Sequence, residues 1–232
     1  MTRITHVIVA IPVRNEEELL SGCLNAVRTA VNTLAMVHPH VHAVVSVALD
    51  GCTDGSSRIL TDAGVHAVQL RRVGVGRSRD AAAQSGLASL GNPQESRTWL
   101  ACTDADSLVP SNWLVRQLIW ADSGKDMVLG TVEPFGLQDP EILAAWQRRH
   151  RLVEGHSHVH GANLGVRAST WRAVGGFGHR TAHEDVTLAA KVRARSASWV
   201  ATDTIRVRTS GRMSGRAVSG FAEYLSELGE PQ

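Results

Sequence analysis

"RTWLACTDADSLVPSNWL", residues Arg97 to Leu114, carries an apolar run that stops at two acids, Asp104 and Asp106, before the chain turns at Pro110 and Ser111 into a helix. A strand whose carboxyl end breaks into charge fits an open α/β sheet, where ligands lie beyond the strand ends and loops aim polar groups at them. Two carboxylates this close raise each other's pKa unless a proton or a cation neutralises them. A divalent ion removes that penalty. Hard oxygen ligands select Mg2+ or Mn2+, which bind through one or two carboxylates together with diphosphate oxygens and water. An Asp-x-Asp tripeptide also occurs in exposed turns; its place at the end of a buried strand is what argues for the metal.

Outward from this strand, β-branched runs alternate with longer helical patterns. On its amino-terminal side come the strand THVIVAIPV, a helix from Glu16 to Val37, the strand HAVVSVALD, a short helix at TDGSSRIL, the strand VHAVQL and an alanine-rich helix from Ser78 to Leu90. A helix from Ser111 to Ala121 and the strand MVLGTVE follow it. This is βαβ order, and near-continuous apolar strands imply helices on both faces of a mostly parallel, Rossmann-like sheet. The strand ends bring Asp50, Asp104 and Asp106 next to Arg71, Arg72, Arg77 and Arg79. Such a rim suits a metal-bound, phosphate-bearing ligand better than an apolar one.

The chain has 232 residues, 43% of them hydrophobic, enough for one α/β domain with a sizeable core. Lys and Arg total 24 against 22 Asp and Glu, a formal charge of +2, which argues for no nucleic-acid partner. Cys23, Cys52 and Cys102 form no C-x-x-C pair, and the first residues lack a signal-peptide pattern. The expectation is therefore a cytoplasmic protein with reduced thiols, with the inner face of the membrane as the alternative station. Peripheral membrane contact stays open, because no apolar stretch reaches spanning length.

Taken singly, the other motifs are ambiguous. Pro12, Asn15 and Glu16 are as consistent with a strand end and a helix cap as with a binding loop. DGCTDGS reads as a turn leading into a capped helix, and GVGRS lacks both the Lys-Ser/Thr of a phosphate loop and a full G-x-G-x-x-G. Arg77 and Arg79 fit a solvated face equally well. His183, Glu184 and Asp185 open a helix, where acids also serve as simple dipole partners. His156, His158 and His160 alternate in EGHSHVHGAN, a spacing without the usual Cys or acidic zinc partner, so packing or loop roles are favoured. Trp113, Trp146 and Trp171 fit core positions better than a sugar-stacking wall.

The order of the motifs is more specific than any one of them. IPVRNEEELLSGCLNAV, LDGCTDGSSRIL, GVGRSRDAA, TDADSLVPSNWL, GANLGVRASTWRAVGGF and HEDVTLAAKVR follow one another from about Val7 to Arg195. This series resembles family 2 glycosyltransferases, which have the nucleotide-diphospho-sugar transferase (GT-A) fold. The resemblance implies a single GT-A-type domain over residues 1–203. Within it, residues 1–107 form the nucleotide-sugar half and residues 108–203 the acceptor and catalytic half; residues 204–232 form a C-terminal segment. It further implies an inverting transfer of a sugar to an acceptor hydroxyl, with Mn2+ or Mg2+ as cofactor. The implied donor is a nucleotide-diphospho sugar, a UDP-sugar ahead of GDP or dTDP.

By position, Pro12, Arg14 and Glu16 match the loop bordering the nucleotide base, with Val13 and Arg14 where the family more often has Thr-Tyr. Asp50 matches the acid that accepts from the base ring. Arg79 matches the arginine of an A-R-N segment, with Asp80 in place of the asparagine. Asp104 matches the acid on the ribose side and Asp106 the metal ligand. The E-D pair implies Asp185 as catalytic base, with Glu184 as the second choice. His160, Asn163 and His183 fall on the acceptor side. In the C-terminal segment, Arg206, Arg208, Arg212 and Arg216 are suited to closing over a diphosphate, with a solvated or membrane-surface role equally open, and GFAEYLSEL to an amphipathic helix that docks on the body. The readings set against this are a metal-dependent phosphohydrolase, which places its acidic pair after the first strand rather than the fourth, and a non-catalytic nucleotide-sugar-binding protein.

Overall fold

The computed structural model describes residues 2–178, 182–215 and 220–229. Its amino-terminal part alternates strands and helices: β1 (His6–Val13), α1 (Leu20–Val37), β2 (His42–Asp50), α2 (Ser56–Asp62), β3 (Ala67–Leu70), α3 (Val75–Ser89) and β4 (Thr98–Cys102). Then come β5 (Ser107–Leu108), α4 (Trp113–Asp122), β6 (Met127–Phe135), α5 (Pro140–Arg149), β7 (Leu164–Arg167), α6 (Ala168–Ala173), α7 (Glu184–Ala194), β8 (Trp199–Ser210) and α8 (Phe221–Leu228). The strands form one sheet in the order β3-β2-β1-β4-β7-β6-β8-β5.

The two-residue period of β1 sets the layers. Val7, Val9, Ile11 and Val13 point to one face, where they meet Leu20, Leu24, Val27 and Leu34 of α1 and Leu114 and Leu118 of α4. Ile8 and Ala10 point to the other, against Ala82, Ala83 and Leu87 of α3 and Leu188, Ala189 and Val192 of α7. Covering both faces is what makes the strand read as continuously apolar.

The sheet is parallel where the βαβ grammar applies, from β3 through β4. Beyond β4 the expectation of a mostly parallel sheet needs revision. β7 runs antiparallel between β4 and β6, and β5 antiparallel to β8, so the whole is mixed. β7 is only four residues long and lies inside the motif GANLGVRASTWRAVGGF. β8 continues through residue 203, pairing parallel with β6 on both sides of that position. Its inward residues Ala201, Ile205 and Val207 are buried while Arg206 and Arg208 face outward.

Helix α1 begins four residues later than its apolar period suggested, because the first amides are engaged elsewhere. Glu16 N donates to Ser56 Oγ at 2.9 Å and Glu17 N to Asp54 Oδ2 at 3.0 Å, and Asn15 sits in the left-handed region at φ 53°. Helix α5, by contrast, is opened by local chemistry. Asp139 accepts from Glu141 N and Ile142 N, Pro140 occupies the first turn, and Arg148 and Arg149 face the negative helix end. Its Ile142 and Trp146 pack with Leu225 of α8, so the carboxyl-terminal helix docks on the body as its amphipathic pattern implies. Among the described residues no helix is long and apolar enough to cross a membrane.

Candidate active site

The carboxyl ends of β1, β2 and β4 and the amino end of α7 converge on one corner. At its centre lies Arg79, carried by α3 and almost fully buried, with its guanidinium against the Phe177 ring at 5.7 Å. One terminal nitrogen pairs with Asp104, just beyond β4; the other pairs with Glu184 in the first turn of α7. Burial alone would favour a neutral arginine, but the two carboxylates reverse that and hold it above its ordinary value. Burial pushes the Glu184 carboxyl up, and the Arg79 charge opposes that shift.

Two glycines make this packing feasible. A Cβ at Gly76 would lie 2.9 Å from the Gly178 carbonyl and 3.1 Å from Glu184 Cβ, and one at Gly161 would lie 2.3 Å from Arg79 Nη2. The second glycine of GVGRS, Gly76, therefore permits the start of α3 to approach Glu184.

Asp106 has a different partner. Its Oδ2 lies 3.0 Å from Arg212 Nη2, and its Oδ1 accepts from Ser107 Oγ at 3.3 Å and Thr209 Oγ1 at 3.4 Å. Burial raises its pKa to about 6, Asp104 adds to the rise, and Arg212 offsets part of it. The same Arg212 forks onto Glu16, with Nη1 to Oε2 at 2.6 Å and Nη2 to Oε1 at 2.6 Å. Each aspartate of the Asp-x-Asp pair is thus answered by its own arginine, and each arginine holds a second acid. Arg212 offsets part of the repulsion that Asp104 exerts on Asp106.

The structure gives several expected site residues hydrogen-bond partners within the chain. Asp50 is buried and accepts from Val73 N at 2.6 Å and Gly74 N at 2.9 Å, so it shapes the loop between β3 and α3. Arg79 lies between two acids, Asp104 and Glu184. Asn163 was expected on the acceptor side, but it is fully buried. It accepts from Trp113 Nε1 at 2.9 Å and donates to the carbonyls of Thr131 and Ile205 at 2.8 and 2.7 Å, locking the loop from within. Asp80, the departure from the family asparagine, accepts from Trp171 Nε1 and from the amides of Phe177 and Gly178, fixing the turn that leads toward α7.

Asp185 is half-buried at the start of α7 and accepts from Gly161 N at 2.6 Å. His183 is the exposed residue before that helix, left-handed at φ 56°. Pro12 and Arg14 are half-buried at the mouth of the β1 loop. Arg206 belongs to β8 and pairs with Asp203 and Glu133, away from the corner; Arg208 pairs with Glu133; Arg216 lies outside the described residues. What sequence reading missed was the partner of Arg212, which no local pattern signals.

The alternating histidines form a ring stack. Trp146 lies on His150 at 4.7 Å, His150 on His158 at 4.9 Å, and His158 on His160 at 5.8 Å, with Tyr224 of α8 edge-on to His150 at 5.5 Å. Burial and the neighbouring histidines depress His160 to about 3, so it is neutral at ordinary pH. This is packing that ties α5 and α8 to the loop before Gly161.

Among the described residues no three His, Cys, Asp or Glu side chains gather as a metal cage. The donor chemistry at Asp106 still fits Mn2+ or Mg2+. It is a hard carboxylate whose charge is disfavoured by burial and by Asp104, and phosphate oxygens and water would complete the shell.

The family model described as Glycosyl transferase family 2 matches residues 8–174. Comparison with curated proteins gives no match. Among solved structures, residues 1–349 of S. aureus TarS superpose with a TM-score of 0.62 at 13% identity, covering 90% of this chain and 61% of that one. The same fragment in complex with UDP gives 0.61 at 15% identity, covering 89% and 61%. The mannosyltransferase PcManGT from Pyrobaculum calidifontis, in complex with GDP-Man and Mn2+, gives 0.61 at 17% identity, covering 97% and 69%. At these identities the likeness is one of fold, and this chain spans about three fifths of the TarS fragment.

Proposed function

The chain belongs to glycosyl transferase family 2, which makes it a glycosyltransferase, and on that premise we propose that it transfers a sugar, with inversion, from a nucleotide-diphospho sugar to an acceptor hydroxyl. The observation that carries the proposal is the convergence of Asp104, Asp106, Glu184 and Asp185 on one corner, organised by Arg79 and Arg212. In this reading Pro12, Arg14 and Glu16 border the nucleotide base, and Asp50 sets the shape of the opposite loop. Asp104 faces the ribose. Asp106 would hold Mn2+ or Mg2+, with Asp104 close by, and the ion when bound neutralises charge gathering on the departing diphosphate.

The remaining chemistry belongs to the chain's own groups. Arg79 acts as a positioning residue, fixing Asp104 and Glu184 relative to each other. With Glu184 engaged by Arg79, base duty falls to Asp185. The Gly161 amide orients its carboxylate, which keeps lone pairs for an acceptor O–H. The hydroxyl oxygen attacks the anomeric carbon from the face opposite the diphosphate, its proton passes to Asp185, and the C–O bond to the diphosphate breaks. No covalent intermediate is required. His160 and His183 flank the acceptor side, His183 from solvent and His160 as a neutral ring.

UDP and GDP-Man in the structural neighbours support a nucleotide-diphospho donor. A thermal-shift panel of UDP-, GDP- and dTDP-sugars with Mn2+ tests the reading, since a ligand bound only by the folded state raises apparent stability. One donor class should stabilise the wild type and fail to stabilise Asp106→Ala. A panel in which no donor shifts the wild type contradicts the proposal.

A further inference from the structure

We propose that Arg212 is a tethered counter-cation that occupies the metal side of the donor site and is drawn away by a nucleoside diphosphate, so that donor and metal bind cooperatively. The inference rests on Asp106 being the metal ligand. The guanidinium engages both Glu16 oxygens at 2.6 Å and reaches Asp106 Oδ2 at 3.0 Å. That oxygen cannot serve a divalent cation and an arginine together without bringing two positive charges into contact, so a metal arriving alone must first displace Arg212.

Displacement without a new partner is unfavourable, because it leaves the guanidinium without its two-oxygen fork. A diphosphate changes this balance. It presents paired anionic oxygens that match the planar guanidinium as well as a carboxylate does, with more charge. The location of Arg212 suits such an exchange. It follows β8, directly after Gly211, whose amide donates to the Phe135 carbonyl at 2.8 Å, so its backbone is anchored while its side chain is a quarter exposed. With Glu16 9% and Asp106 17% exposed, water alone is a poor substitute for this pairing, and exchange calls for a replacement anion.

Reciprocity then follows. If the diphosphate removes the competitor of the metal, it tightens metal binding by the same factor by which the metal tightens diphosphate binding.

The test is Mn2+ titration followed by electron paramagnetic resonance of the free ion, on wild type, Arg212→Ala and Arg212→Lys, each alone and with UDP, GDP or dTDP. In the absence of nucleotide, the Ala variant should bind Mn2+ on the order of tenfold more tightly than wild type. Its gain in Mn2+ affinity on adding the nucleoside diphosphate should be correspondingly smaller. The Lys variant, which keeps the charge and guards against a folding defect, should fall between. Equal or weaker Mn2+ affinity of both variants without nucleotide overturns the counter-cation role and leaves the glycosyl-transfer reading intact. Failure of wild type to bind Mn2+ with any of the three nucleotides overturns the donor-and-metal reading as well, which keeps the two failures distinct.

Discussion

Arg79 and Arg212 each bridge two acids and each takes one aspartate of the same Asp-x-Asp pair, yet their surroundings differ. The Arg79 side chain is 3% exposed and its partner Glu184 is 6% exposed, whereas Arg212 is 25% exposed and sits on the chain that follows the last strand. In the first place the arginine and Glu184 are shut off from solvent and only Asp104, 33% exposed, reaches it, so the pairing holds α3 and the end of β4 to α7. In the second, the arginine itself reaches solvent, so a ligand anion can take over from Glu16 and Asp106, which are 9% and 17% exposed. Similar hydrogen bonds thus serve as a permanent clasp in one region and an exchangeable one in the other, with burial rather than bond length deciding which.

The largest effect should come from breaking the buried clasp. Arg79→Ala leaves Asp104 and Glu184 facing each other without a cation, and should cost about 3–5 kcal/mol in denaturant unfolding. A loss no larger than that of Arg212→Ala would place Arg79 in the same class as Arg212. Asp185→Asn sharpens the division of labour beside that clasp. It should lower turnover roughly 10²–10⁴-fold while leaving the donor-dependent thermal shift in place; unchanged turnover would move the base elsewhere. Glu184→Gln should act mainly on stability, through its lost pairing with Arg79.

A smaller effect concerns pH. In the metal-free protein Asp106 titrates near 6, above the ordinary carboxylate value of about 3.9, so the native state binds more protons than the unfolded chain between these values. Stability therefore falls as pH rises through that window, and the penalty is fully present above it. Asp106→Asn should be more stable than wild type at pH 7, and the difference should shrink on acidification toward pH 4, as read from melting temperatures with a chelator present. The smallest effect is that of the exchangeable clasp on folding: Arg212→Ala should cost less unfolding free energy than Arg79→Ala, because a quarter of the Arg212 side chain is exposed against 3% of Arg79, while the mostly buried Glu16 and Asp106 keep the loss measurable. A loss as large as that of Arg79→Ala would erase the contrast.

Much of the fold and part of the site could be read locally. The β-branched runs with acids at their ends located β1, β2 and β4, and the alanines of SRDAAAQSGLAS marked α3 as a helix. The E-D pair at a helix start was legible for the same reason, being a contiguous pattern. What escaped depends on contacts across the chain. Arg212 and Glu16 are 196 positions apart, and nothing near either one names the other. Asn163 and Asp50 look like binding groups by type, and only three-dimensional burial reveals that backbone amides and carbonyls claim them. The alternation in VATDTIRVRTS did signal a strand, but its arginines drew attention to phosphate instead.

The most direct test is a crystal structure with Mn2+ and the nucleoside diphosphate that gives the largest thermal shift. The account predicts the ion on Asp106, Arg79 still seated between Asp104 and Glu184, and Arg212 turned from Glu16 to the diphosphate. A nucleotide bound elsewhere, with Arg212 still forked onto Glu16 and no ion at Asp106, would contradict it.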